Sequence, residues 1–317
     1  MSDRIQTVDI TPTPRILRVL GEIPFAPWQC LAELIDNAID SFLSREGTSG
    51  DVDERRINIT WSGDSVAAAE RTVEVTDNAM GMSLEQIQNA VRAGYSSNDP
   101  INNLGLFGMG FNIATARLGD FTTVLSTRKG ENEWVGLTID FQKMNATKSF
   151  EAPVIRKPKE NPDESGTKII VSNLKQGIRD ELSLRENEIR KQLESIYTPL
   201  LNNQDIVIYV KGKQLFPRNH CIWAQNRFVV YNQEPVYAYQ EIDRDLGTSL
   251  FDIERNCYLT ADEAEPYYVA MSEGKALPER IVERSKRLKG WLGIQRYADP
   301  NDFGIDFIRN GRKILIS

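Results

Sequence analysis

The stretch Leu31–Phe42, LAELIDNAIDSF, does most to limit what this chain can fold into. Apolar residues recur at helical spacing, and at about 100° per residue Leu31, Leu34, Ala38 and Phe42 share one face. Glu33, Asp36, Asn37 and Asp40 gather on the other. That polar face holds three carboxylates and an amide, with no Lys or Arg until Arg45. Like charges four residues apart, such as Asp36 and Asp40, repel. A solvated face is the plainer alternative, but such faces usually mix both signs. A bound cation is the sharper one. Magnesium takes oxygen ligands and is commonly held by one or two protein groups together with a nucleotide's phosphates. A magnesium nucleotide requires two further features: a loop for phosphates and a group that recognises the base.

Composition bounds the setting. The length of 317 residues suggests two domains, and 40% hydrophobic with 26% charged residues is ordinary for a globular protein. No apolar run is long enough to span a membrane. The N-terminus MSDRIQTVDI lacks the layout of a signal peptide, so a cytoplasmic location is the default expectation. Cys30, Cys221 and Cys257 are scattered without CxxC spacing, which points to neither zinc nor a disulfide framework. His220 is the only histidine, which removes histidine-dependent triads. The net charge of −7 does not suggest an obvious nucleic-acid binder, although RIVERSKRLKG (Arg280–Gly290) is locally basic and reads as a solvated helix end.

The pattern along the chain is α+β. RRINITWSG and RTVEVTDN alternate as strands. MSLEQIQNAVRAG reads as a helix with Ser83 as N-cap and Gln86 completing a capping box. The polar segment Tyr95–Asn103 precedes LGLFGMGFNIATARLG, a glycine-punctuated turn entering a helix that ends at Gly119. FTTVLSTRKG, EWVGLTIDF and GTKIIVSNL read as a meander, and the first domain closes near Leu174. ENEIRKQLESIYTPLLNN reads as one helix opening a second domain, followed by the hairpin QDIVIYVKGKQL, further strands, the basic helix and GIDFIRNGRKILIS. The expected division is 1–178 and 179–317, with a fragment of a longer protein left open.

The two required features are present. In VTDNAMGMS, Asp77 stands at a strand end, where a carboxylate accepts from an exocyclic amine such as that of adenine. Gly81 allows close backbone approach, and Met82 has an apolar side chain for the ring face. In GLFGMGFN, Gly105, Gly108 and Gly110 lead into a helix whose N–H groups and dipole suit phosphates. No GK[ST] follows, so this is not a Walker loop. The polar segment before it suggests a mobile lid.

Taken in order, these parts resemble the GHKL ATPase superfamily: the B subunit of DNA gyrase, MutL, sensor histidine kinases, heat-shock chaperones and MORC proteins. ELIDNAID is similar to the N-box, DNAMGM and GLFGMGF to the two glycine boxes, and GTKIIV to the strand whose Thr joins the base network. The resemblance covers roughly Pro14 to Leu174, and AGYSSNDPINNLGLFGMGFNIATARLG looks most like MORC-type ATPases. One departure is Ala79, where the first glycine box usually has Gly.

The resemblance implies a GHKL (Bergerat) ATP-binding α/β sandwich followed by a transducer-like α/β domain. It also implies ATP and Mg2+ as cofactors. Glu33 would be the general base for the attacking water, Asn37 the magnesium ligand, and Asp36 and Asp40 supporting groups. Asp77, Gly81, Met82 and Thr167 would bind the base. Gly105, Leu106, Phe107, Gly108, Met109, Gly110 and Phe111 would cradle phosphates. In gyrase-like and MutL-like members a cation from the transducer reaches the γ-phosphate. Arg309 or Arg312 is favoured here, with Lys313, Lys286, Arg287 and Lys289 as alternatives. The implied function is a nucleotide-gated clamp that hydrolyses ATP. It would form an ATP-dependent homodimer, with MSDRIQTVDITPTP either a frayed terminus or a strap onto the partner protomer, and would work with DNA or a DNA-processing partner. A heat-shock-type chaperone and a non-hydrolysing nucleotide-controlled module are alternatives. A sensor histidine kinase is disfavoured, because no His precedes the site.

Overall fold

The computed structural model describes residues 12–43, 54–94, 104, 108–255, 257–297 and 303–316. The chain forms two compact units, residues 1–218 together with 306–316, and residues 219–305. The N-terminal segment, the polar segment Tyr95–Asn103 and Gly105, Leu106 and Phe107 lie outside the described residues, apart from 12–14.

In chain order the first unit begins with α1 (Arg15–Leu20), α2 (Pro27–Leu43), β1 (Arg55–Trp61), β2 (Thr72–Asp77), α3 (Leu84–Val91) and α4 (Gly110–Leu118). It continues with β3 (Gly119–Thr127), β4 (Glu133–Asp140), α5 (Phe141–Thr147), β5 (Val154–Pro158), β6 (Gly166–Leu174) and α6 (Gln176–Leu184). Then come α7 (Glu186–Ile196), α8 (Thr198–Asn203), β7 (Ile206–Val210) and β8 (Lys213–Gln214). The second unit holds β9 (Phe228–Tyr231), β10 (Glu234–Tyr237), β11 (Tyr239–Asp252), β12 (Cys257–Tyr258), α9 (Ala261–Ser272) and β13 (Ile281–Gly293). The chain then returns to the first unit with β14 (Asp306–Arg309) and β15 (Arg312–Ile316).

Eight strands of the first unit form one sheet in the order β5-β4-β3-β6-β2-β1-β7-β8. β1 and β7 are parallel, and the other pairs are antiparallel. The expected meander is therefore corrected: β6 returns to lie between β3 and β2, and β5 takes the edge beside β4. Cross-strand partners share a face. Val75 pairs with both Ile59 and Ile169, and Ile59 pairs with Val210. This apolar row belongs to the main core, which also takes in α2, α4, α6, α7 and α8. The result is a layer of helices on a mixed sheet. A second core joins α1, α3 and α5 to β3 and β4.

Two further expectations change. ENEIRKQLESIYTPLLNN is two helices, α7 and α8, broken at Tyr197 with Pro199 in the first turn of α8. Proline fits a first turn because its missing N–H would be unsatisfied there anyway. Both helices pack in the first unit, where β7 extends the sheet, so the compact units part at Arg218/Asn219 rather than at 178/179. The basic stretch near Arg280 is not a helix. It is strand β13, paired with β11 from Asp252↔Ile281 to Tyr239↔Gly293. Its Lys, Arg, Glu and Leu favour helix locally, and long cross-strand pairing overrides that weak preference. The capping box on α3 forms as expected, with Ser83 Oγ accepting from Gln86 N and the Gln86 side chain accepting from Ser83 N. Among the described residues, no helix is long and apolar enough to cross a membrane.

Candidate functional site

α2 starts at Pro27, a favoured first helical position, and the Gln29 side chain accepts from Ala26 N at 2.9 Å. It is more deeply embedded than a two-faced helix. Asp36 and Asp40 are 2% and 7% exposed, Glu33 is partly buried, and Asn37 is exposed. A buried unpaired carboxylate costs several kcal/mol, so each needs a partner. Asp36 Oδ1 accepts from the Tyr197 hydroxyl at 2.6 Å, and Oδ2 contacts a guanidinium nitrogen of Arg312. Asp40 Oδ1 accepts from Leu104 N at 2.7 Å. Arg312 also lies 3.6 Å from Glu33 Oε1. Protein groups therefore offset much of the acidic face that the sequence leaves uncompensated. Burial lowers the Arg312 pKa from its ordinary value, and the neighbouring Glu33 opposes that shift.

Glu33 also faces the start of α4. A Cβ built on Gly110 would stand 2.0 Å from Glu33 Oε2, so glycine is what lets the carboxylate sit there. Met109 precedes the helix and provides no side-chain cap. The N-cap side chain therefore occupies none of the first-turn N–H groups, donors of the kind that suit an anion. Gly108 adopts φ +60°, and its carbonyl accepts from Gly94 N at 3.0 Å.

Asp77 ends β2 opposite Ile57, on the face that carries Val73 and Val75 and is covered by helices. Oδ1 accepts from Ala79 N at 3.0 Å and Thr167 N at 3.3 Å. Burial pushes the Asp77 carboxyl up to about 7, against the pull of those two N–H groups. Around it the backbone is too close for side chains. A Cβ at Gly81 (φ +78°) would stand 1.9 Å from Thr127 O, and one at Gly166 (φ +130°) 2.0 Å from Asp77 O. Ala79 needs no glycine: its φ is not positive, and its methyl is buried in the main core. Met82 packs beside the second core, and its N–H donates to Ser126 Oγ at 2.8 Å.

The structure thus brings Glu33, Gly110 and Arg312 together near the middle of α2, and Asp77, Gly81 and Thr167 beside the strand ends. Phe111 packs against both cores. Arg309 donates to Leu104 O. Lys313 is buried and paired with Asp306 at 2.7 Å. Lys286, Arg287 and Lys289 lie on β13 of the second unit, where Arg287 pairs with Asp243 at 2.6 Å.

Three contributors escape the motifs. Ser126 is fully buried and joins Met82 N, Gly166 O and Thr167 Oγ1, the last at 2.9 Å. Tyr197 and Leu104 are the others. Alternation along β3 was the only signal for Ser126, and no local signal tied Tyr197 to α2.

The residues suit a magnesium nucleotide. Asn37 presents an exposed amide one turn beyond Glu33. Among the described residues no three His, Cys, Asp or Glu cluster as a metal cage. That fits an ion held mainly by phosphates.

Protein MICRORCHIDIA 5 of Arabidopsis thaliana is 28% identical to this chain over 284 residues, which is 87% of the chain and 35% of that protein. The chain therefore spans about a third of that relative's length. The family profile for histidine kinase-, DNA gyrase B- and HSP90-like ATPases matches residues 25–196, more than half of the chain and all of the helix, strand ends and glycine turn just described. The chain belongs to this GHKL family of ATPases and is MORC-like.

Proposed function

We propose that this protein binds ATP with Mg2+ and hydrolyses it to ADP and phosphate. The observation that supports hydrolysis is the placement of Glu33 against Gly110 at the N-terminus of α4. A carboxylate there lies next to where a terminal phosphate would meet the helix start, and it is the group that would orient and deprotonate water. Asp77 would accept from the adenine amine, with Thr167 and Ser126 fixing the pocket around it. The backbone of Gly108, Met109 and Gly110, with that of Gly105, Leu106 and Phe107, would hold the phosphates. Asn37 would give magnesium one oxygen. The ion, when bound, neutralises phosphate charge. Arg309 and Arg312 are the candidates for contact with the γ-phosphate, and the place of Arg312 beside Glu33 favours it. Phosphoryl transfer needs mainly positioning and charge neutralisation, and these groups can supply both.

The functional division we propose remains 1–178 for nucleotide binding and 179–317 for a transducer-like part. By similarity to MORC-type ATPases, nucleotide binding would drive homodimerisation, and the work would involve DNA or a DNA-processing partner. The decisive experiment on chemistry is Glu33→Gln. Expected is ATP binding at wild-type affinity with no phosphate release, and unchanged turnover would remove Glu33 from the role. Sedimentation with a non-hydrolysable ATP analogue tests assembly. A protein that stays monomeric at saturating analogue is not an ATP-gated dimer.

A further inference from the structure

Leu104 is gripped from two sides by distant parts of the chain. Its N–H donates to Asp40 Oδ1 on α2 at 2.7 Å, and its carbonyl accepts from the guanidinium of Arg309 at the end of β14. Its side chain is 3% exposed and lies in the main core. Both backbone bonds are charge-assisted, the stronger kind of hydrogen bond. One residue is therefore pinned by an anion, a cation and apolar packing.

The cation is itself firmly based. The turn Asn310–Gly311 has φ of 47° and 82°, the left-handed pair that a tight hairpin demands. Gly311 O accepts from Leu200 N at 3.1 Å, and a Cβ at Gly311 would press on the Leu200 side chain at 3.1 Å. Lys313 and Asp306 pair across the same hairpin. The Leu200 contacts and the burial of Lys313 fix the hairpin to the body of the first unit.

Gly108, four residues after Leu104, is anchored through Gly94, and Gly110 stands against Glu33. Four residues span at most about 14 Å, so the position of Leu104 limits where the chain can enter α4. We propose that Arg309 and Asp40 are positioning residues for the phosphate-binding start of α4. They act through Leu104 and do not touch the nucleotide. The proposal rests on the ATP-site reading above and narrows it: of the two arginines on the hairpin, Arg309 holds Leu104 and Arg312 faces the chemistry.

The test compares ADP with adenosine, which lacks phosphates, on the full chain by calorimetric and NMR titration. Arg309→Ala is expected to weaken ADP binding about tenfold and leave adenosine affinity unchanged. A general loosening of the fold would weaken both. Arg309→Lys keeps a cationic donor and is expected to hold ADP affinity within about threefold of wild type. Asp40→Ala removes the acceptor from the other side and is expected to give the same ADP-selective loss, so it carries the test if Arg309→Ala does not fold. Equal losses for both ligands, or full ADP affinity in Arg309→Ala or Asp40→Ala, would overturn the proposal. Wild-type protein that binds neither ligand would instead overturn the nucleotide-site reading beneath it.

Discussion

The hydroxyl of Tyr197 lies 2.6 Å from Asp36 Oδ1, joining the break between α7 and α8 to the middle of α2. Tyr197 is completely buried, and its hydroxyl also lies 3.0 Å from Ala32 O. Burial raises its pKa well above the ordinary value, so it is present as the protonated donor. On the other side of the same carboxylate is Arg312, which also reaches toward Glu33. The order Tyr197, Asp36, Arg312, Glu33 forms a buried polar chain from the helix layer to the site.

Removing the first link should loosen that chain without touching the nucleotide. In Tyr197→Phe the shape is retained, and Asp36 loses a hydrogen bond inside the protein. The expected cost is about 1–3 kcal/mol, the range for a buried polar partner left unmatched. For a unit of this size that lowers the melting temperature by roughly 2–12 °C. ADP affinity should stay within about twofold. A melting curve identical to wild type would mean that the Tyr197–Asp36 contact contributes nothing.

Gly110→Ala tests whether Glu33 works from its observed position. The added methyl would stand 2.0 Å from Glu33 Oε2, so the carboxylate has to turn away. A displacement of this kind at a reacting group can cost about a hundredfold. We expect single-turnover ATP hydrolysis to fall at least tenfold with a nearly unchanged melting temperature, since alanine suits a helix start as well as glycine does. Wild-type hydrolysis in this variant would separate Glu33 from the chemistry.

On the proposed reading, in which Asp77 accepts from the adenine amine, nucleotide binding is expected to depend on pH. The folded Asp77 pKa of about 7 lies above the ordinary carboxylate value because burial disfavours the charge. The folded state therefore holds a proton that the unfolded chain releases near pH 4. Its contribution to stability is greatest below about pH 4, declines as pH rises toward 7, and is flat above that. Nucleotide binding has the opposite sign, because the ionised carboxylate is the better acceptor for the adenine amine. ADP should bind about tenfold more tightly at pH 8 than at pH 6. Asp77→Asn should remove this dependence and weaken binding at pH 8 by about ten- to a hundredfold, since its NH2 would face a donor. Calorimetric titration of both proteins at the two pH values separates this effect from titration of the phosphates. Equal pH slopes in the two proteins would exclude Asp77 as the source.

Much of this site was legible in the sequence because its parts are local. The period of α2, the capping box at Ser83, the strand end at Asp77 and the start of α4 at Gly110 each need only a short window. The hairpin around Asn310–Gly311 also announces itself through its turn residues. What the sequence hid is non-local. Nothing near Asp36 says that a tyrosine 161 residues later completes it. The acidic face of α2 appeared to need a ligand because the basic partner lies 276 residues away, at Arg312. That the compact units part at Arg218/Asn219 follows from β7 pairing in parallel with β1, and parallel partners are brought together only by a crossover that no short window announces. The basic strand β13 was misread because helix propensity and strand pairing point in opposite directions there.

The proposed role of Arg312 in the chemistry can be separated from its pairing with Asp36 by a pair of substitutions. The Arg312 side chain is 16% exposed and lies between Glu33 and Asp36. Truncation leaves two carboxylates one turn apart on α2 without their cation. Breaking a buried pair from one side typically costs about 3–5 kcal/mol, because the remaining charge stays buried. Arg312→Ala should therefore be markedly less stable than wild type. It should also hydrolyse ATP at least tenfold more slowly. A cation beside the base is placed to neutralise charge that develops on the transferred phosphate. ADP lacks that phosphate, so ADP affinity should change little. Adding Asp36→Asn removes the stranded carboxylate that accounts for most of the instability. The double variant Asp36→Asn/Arg312→Ala should regain part of the lost melting temperature while kcat stays as low as in Arg312→Ala. Recovery of turnover together with stability would show that Arg312 only balances Asp36. Persistent loss of kcat in the restabilised protein would place Arg312 in the chemistry.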